Sequence, residues 1–157
     1  MILRFILLVS LAIWFGGFTF YSTAVIYTAQ EVLHSHLRAG LITQQVTRWL
    51  NLVSLPPLLL CLFHQYRLRF AWRGWFVKIL GMALLIMILT QAGLFLMHPV
   101  IDAQVVDREV PDGVRFFQLH RLYEGIATLQ WCATLVYFIA MLKIWSRIDS
   151  SHPASAR

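Results

Sequence analysis

The chain has 157 residues, 59% of them hydrophobic and only 13% charged, with a mean hydropathy of +0.69 and a net charge of +6. Water-soluble domains carry about 25% charged residues, so a chain half as charged, with its apolar residues in long blocks, is excluded from that class. It reads as one polytopic all-α membrane domain over residues 1–148, with four antiparallel transmembrane helices packed as a bundle.

The first span is expected at residues 3–27. Arg4 ahead of an apolar run resembles the start of a signal peptide. The run, however, exceeds the roughly 7–15 residues of a secretory apolar segment, and no A-x-A site closes it, so it reads as a retained helix. Gly16, Thr19, Thr23 and Tyr27 recur at helical spacing and predict a narrow face turned to the bundle. Gly16 and Gly17, with Gly125 in the fourth span, are the positions where helix backbones would approach closely in lipid. Residues 31–48 are rich in polar side chains and read as a connection broken at Gly40. His34 and His36 within it, at i and i+2, point to different sides of a helix and read as surface histidines.

The second span, residues 49–66, contains Pro56-Pro57. Proline inside a helix removes a backbone donor and crowds the preceding turn, which predicts a kink there. Asn51, Ser54 and Cys61 share a face and are expected to look inward. Cys61 and Cys132, both deep in apolar runs, read as small packing residues. The stretch that follows carries Arg67, Arg69, Arg73 and Lys78 with Trp72 and Trp75 and no acid. Bases interleaved with aromatics can stack on nucleic-acid bases. An interfacial loop needs the same residues as anchors and aromatic belt, so the expected partner is membrane lipid and not nucleic acid.

The third span, residues 76–97, holds Thr90 and Gln91. His98 lies seven residues past Gln91 on the same face, and Pro99 is expected to end the helix. Residues 100–115 form an acid-rich connection with a turn at Pro111-Asp112-Gly113. The fourth span, residues 116–145, opens with His120, Arg121 and Glu124. The tail over residues 149–157 is expected to be disordered.

Four crossings place both termini on one side. With them lie Arg4, the four bases of the second loop, Lys143, Arg147 and Arg157; the other side has Arg38, Arg48, Arg108, Arg115 and Arg121 among six acids. This excess of bases predicts cytoplasmic termini. The short connections fit a bacterial inner membrane.

Side-by-side helices bring His98, at the end of the third, and His120, at the start of the fourth, to one outer rim. Glu124 stacks on the flank of His120, and Asp102 follows His98 closely. Asn51, Gln91, Arg121 and Glu124 are expected to face the bundle, because polar side chains in a span avoid lipid. The set His98, His120, Glu124 and Asp102 suits a divalent metal such as copper, and the two imidazoles also suit the iron of haem b. The same groups would serve a proton path, or would cap the bundle mouth by pairing with one another, which the sequence favours. The chain has no CxxCH, HExxH or Walker loop, and no serine or cysteine nucleophile with partners. This leans away from an enzyme.

AIWFGGFTF in the first span, RAGLITQQVTRW before the second, MHPVID after the third and RFFQLHRLYEG opening the fourth occur in that order over most of the chain. Together they resemble a bacterial membrane family with a domain of unknown function related to eukaryotic transmembrane protein 205. The matching positions are Trp14, Gly16, Gly17, Gly40, Pro99, His120 and Arg121. More distantly, the Trp-x-Gly-Gly first helix is similar to CopD-type and HemJ-type four-helix membrane proteins. Leu3 and Arg4 stand where the HemJ type has a histidine, and the outer loops lack the methionines of the CopD type. The nearer resemblance implies a four-helix bundle without an assigned activity. The expected role is an accessory or structural subunit of a larger membrane complex, or a homo-oligomer. The alternatives are a haem- or metal-handling protein and a small transporter working at the Pro56-Pro57 break.

Overall fold

The computed structural model describes residues 1–34, 36–71, 74–104 and 113–151, with the side chains of residues 36–38, 41, 69–71 and 151 outside the description. Among the described residues the chain is helical almost throughout and has no strand. Four helical stretches are long and apolar enough to cross a membrane: Ile2–Leu33, Ile42–Leu68, Trp75–Asp102 and Gly113–Ser150.

The first stretch comprises α1 (Ile2–Phe20), a π-helical turn (Tyr21–Val25) and α2 (Ile26–Leu33). Its 32 residues would measure roughly 48 Å, well beyond the roughly 30 Å hydrocarbon layer, so it is longer than the expected 3–27. His34 closes it in the left-handed conformation, with φ 46. That conformation is the usual helix stop, and histidine tolerates it better than most side chains. The break thus lies at His34. Gly40, expected to be the break, is inside the next helix, and no glycine has positive φ among the described residues.

The stretch at 31–48 is therefore not a connection. Most of it belongs to α3 (His36–Val53), which leads into α4 (Leu55–Ala71). Its threonine hydroxyls bond to carbonyls of the preceding turn. Thr43 donates to Gly40 O at 2.9 Å and Thr47 to Thr43 O at 2.9 Å. The interruption between α3 and α4 falls at Ser54, just ahead of Pro56-Pro57. Neither proline has an N–H to return to the carbonyls of Leu52 and Val53, so the ladder lapses for one residue there. It is sustained on both sides by Ser54 N–H to Leu50 O at 3.0 Å and Leu58 N–H to Ser54 O at 3.2 Å.

The third span, α5 (Trp75–Asp102), runs through Pro99 rather than ending at it. A proline this near a helix end forfeits a single hydrogen bond. The final turn is held by Ala103 N–H to Pro99 O at 3.0 Å and by the pair His98–Asp102 at 3.0 Å. The fourth span, α6 (Gly113–Ser151), has 39 residues and takes in the start of the expected tail. Asp149 there pairs with Arg4 at 2.8 Å. Trp72, Arg73, Arg108, Pro111-Asp112 and residues 152–157, all assigned roles above, lie outside the described residues.

Contacts between spans fix their directions. Tyr21 meets Thr43, Gln91 meets Ser54, His98 borders Tyr123 while Arg147 lies over Phe76, and Arg4 meets Asp149. Each neighbour in sequence therefore runs opposite to the last, in an up-down-up-down order. Both ends of the described chain lie at one end, the terminal end. His98 and His120 lie at the other, the histidine end.

Packing differs between these ends. The larger core cluster joins Leu7, Leu11 and Trp14 of α1 to Leu80, Met87, Tyr137, Met141 and Ile144. The cluster nearer the histidine end is smaller, with Leu94, Tyr123 and Ala127 buried at its centre.

Candidate functional site

Between the two clusters lies a polar layer. Its residues come from the interrupted second span, from α5 and from α6. The Ser54 hydroxyl is 2.7 Å from Gln91 Oε1, and Gln130 Nε2 donates to that same oxygen at 2.5 Å. Gln91 Nε2 reaches the Asn51 carbonyl at 3.3 Å, and Asn51 Nδ2 donates to the Tyr123 hydroxyl at 2.9 Å. Asn51, Ser54, Gln91 and Gln130 are all buried. An amide in hydrocarbon must find its partners within the protein, and these find one another across three helices.

The first span meets α6 at this level. The Phe15 and Trp131 rings stack with centroids 4.9 Å apart, and Trp131 Nε1 donates to Thr19 Oγ1 at 3.0 Å. The gap around Trp14, Phe15, Gln130 and Trp131 has no room for a water molecule. Toward the histidine end the two helices part, and a groove of about 1020 Å³ opens between them. Its walls are the first span from Phe18 to Gln30 and α6 from Gly113 to Trp131, with α3 residues Ala39 to Thr47 and the end of α5 completing it. Along α6 it extends roughly 27 Å, from a floor at Trp131 to the helix start.

The groove is amphipathic, with aromatic and aliphatic walls and a polar mouth. At the mouth His98 Nδ1 lies 3.0 Å from Asp102, and His98 Nε2 lies 3.3 Å from the Gln44 carbonyl. Gln44 Nε2 also donates to Asp102 Oδ1. His120 Nε2 lies 3.2 Å from Glu124, and its ring stacks on Phe116 at 5.9 Å. Each imidazole thus pairs with the carboxylate one turn further along its own helix.

All four residues of the expected ligand set therefore line one cavity, but as two separate pairs. Among the described residues no group of three or more His, Cys, Asp or Glu is close enough to hold a metal ion. Both nitrogens of His98 already have partners, which leaves that ring poorly arranged as an axial haem ligand. Asn51 and Gln91 face the bundle. Arg121 and Glu124 do not: both are exposed, Arg121 lies 4.6 Å over the Phe117 ring, and Glu124 borders the groove.

The first-helix stripe is also corrected. Thr19 does face the bundle, where it accepts from Trp131, but Gly16, Thr23 and Tyr27 are exposed, and the buried face is Leu7, Leu11, Trp14 and Tyr21. A methyl group added at Gly16, Gly17 or Gly125 would meet nothing within 4 Å, so no helix of this chain packs on them. Bulky apolar residues took the inward positions because they fill more of the space between helices. Cys61 is fully buried as expected, whereas Cys132 is exposed.

Two features escaped the reading of the sequence. One is the groove, whose Thr43, Gln44 and Thr47 lie in the stretch taken for a connection. The other is His64. It is 5% exposed and closed on both nitrogens. Trp145 Nε1 donates to His64 Nε2 at 3.0 Å, which leaves Nδ1 to carry the proton and donate to the Tyr137 oxygen at 3.1 Å. Tyr137 in turn donates to the Cys61 carbonyl at 3.0 Å. The available signal was partial: Tyr137 and Trp145, eight residues apart, share one face of the fourth span.

No family model, no curated protein and no solved structure matches the chain.

Proposed function

We propose that this integral membrane protein is a binding component, an accessory protein that holds an amphipathic molecule for a larger complex or for its own oligomer. The observation that carries the reading is the groove of about 1020 Å³, a volume suited to a drug-sized or lipid-like ligand. It is one-ended. Past Trp131 the bundle is closed by the buried amide layer and then by the larger apolar cluster. A binding site that stops halfway favours holding over carriage across the membrane. The groove reaches Glu124 but stops short of Asn51 and Gln91, the middle positions a transporter would use. The resemblance to the family related to transmembrane protein 205 is consistent with this role and is proposed along with it. So is a bacterial inner-membrane location with cytoplasmic termini, supported by Arg4, Arg67, Lys78, Lys143 and Arg147 on the terminal end.

The test is extraction into lipid nanodiscs followed by native mass spectrometry. The expected result is one small amphipathic molecule retained per chain, together with a protein partner or a second copy. Thr23→Trp, at an exposed position on the groove wall, should expel the small molecule and leave the fold intact. A strictly monomeric wild-type protein that retains no small molecule would defeat the proposal.

A further inference from the structure

The charges around the groove specify more than its amphipathic character. Its described lining includes two carboxylates, Asp102 and Glu124, and no lysine or arginine. Arg121, one turn before Glu124 on α6, is not itself a lining residue; its guanidinium lies 4.6 Å over the ring of Phe117, which is one. The two carboxylates differ in availability. Both oxygens of Asp102 are taken, one by Gln44 and one by His98, so it contributes charge but little free acceptor capacity. Glu124 meets His120 through Oε1 and is 60% exposed, leaving it able to turn toward a ligand. The same lining carries the rings of Phe18, Tyr21, Phe116, Tyr123 and, at its floor, Trp131. An aromatic face attracts a cation through its quadrupole, most strongly where water is scarce, and a nearby carboxylate adds to that attraction. An anionic headgroup would meet repulsion from both acids and no cationic side chain in the described lining.

We propose that the groove selects membrane-dissolved amphiphiles with a cationic ammonium head, their apolar tails running toward Trp131 and their heads held by Glu124 within the aromatic walls. This rests on the groove being a binding site, and it adds which class of molecule enters. Asp102, held by Gln44 and His98, makes the mouth negative without contacting the head. The partner is thereby a hydrophobic amine or quaternary ammonium compound taken from the bilayer.

The test is equilibrium dialysis of decyltrimethylammonium, decyl sulfate and decanol against the protein in phosphatidylcholine nanodiscs, with empty discs as the blank. Saturable binding of decyltrimethylammonium, at a Kd about tenfold or more below that of decyl sulfate, is expected. Glu124→Gln should weaken the cation about tenfold and leave decanol unchanged. Thr23→Trp should abolish both. Equal affinity for the three probes, preference for the sulfate, or a Glu124→Gln protein that binds the cation as well as wild type would overturn the cation assignment while leaving the groove a binding site. Absence of saturable binding by all three would overturn both readings.

Discussion

At the terminal end, His64 is 5% exposed and joined on both ring nitrogens to tyrosine and tryptophan from α6; at the histidine end, His98 and His120 each meet a carboxylate of their own helix and border open space. The same pair of spans produces both environments. Near the termini α1 offers Leu7, Leu11 and Trp14, and α6 offers Tyr137, Met141 and Ile144, side chains long enough to meet and exclude everything else. Past Phe15 the first span offers Thr19, Ser22 and Thr23, whose hydroxyls bond back to carbonyls of their own helix. Of these only Thr19 meets α6, by accepting from Trp131, and the short side chains of Ser22 and Thr23 line the open groove beyond it. Side-chain reach, more than helix geometry, decides which half is core and which is groove.

The sharpest way to break this contrast is at Tyr137, which is fully buried. Tyr137→Ala removes a large side chain from the dense half and leaves His64 and the Cys61 carbonyl without their partner. A loss on the order of 3 kcal/mol is expected in detergent-titrated unfolding. Tyr137→Phe keeps the ring and should cost about 1–2 kcal/mol. At the boundary, Gln91→Leu deprives Ser54 and Gln130 of their common acceptor. Hydrogen bonds between membrane helices contribute about 0.6 kcal/mol on average, so a loss near 1 kcal/mol is expected by the same assay. A change of 3 kcal/mol or more would mean that the amide layer, not the apolar cluster, organises the bundle.

In the open half, Thr128→Trp should change stability by less than about 0.5 kcal/mol, because the position is exposed and faces the groove. The same substitution at a buried position of the other half would not be tolerated. A last substitution in the open half is Gly125→Ala. With nothing within 4 Å to clash, it should be neutral or stabilise by up to about 1 kcal/mol through helix propensity alone. Destabilisation that depends on protein concentration would instead place a second copy against that face.

The spans were legible because their apolar runs are too long for a soluble core, and the second-span interruption because two adjacent prolines leave two carbonyls without donors. Asn51 and Gln91 were recognisable as inward for the same reason: an amide in an apolar run has nowhere else to go. The ends of the helices were less legible. Gln44 and Thr47 gave 31–48 the polarity of a loop, when their polarity marks the groove wall. Pro99 signalled a helix end that the next turn, tied by His98 and Asp102, carries past. The histidine pairing was half visible. The spacing of His120 and Glu124 fixes a contact within one helix. Whether the two pairs merge depends on how far α6 stands from its neighbours, which no local pattern encodes. His64 illustrates the same point, since its partners lie 73 and 81 residues away.

The clasp between Arg4 and Asp149 ties the start of the first span to the end of the fourth. A short peptide bridge would join them into a ring, and reopening that ring between residues 71 and 74 would set new ends on the same face. The number of crossings stays even, so insertion topology is preserved while the order of synthesis is permuted. Such a rearranged gene would make α5 and α6 first and the first and second spans last.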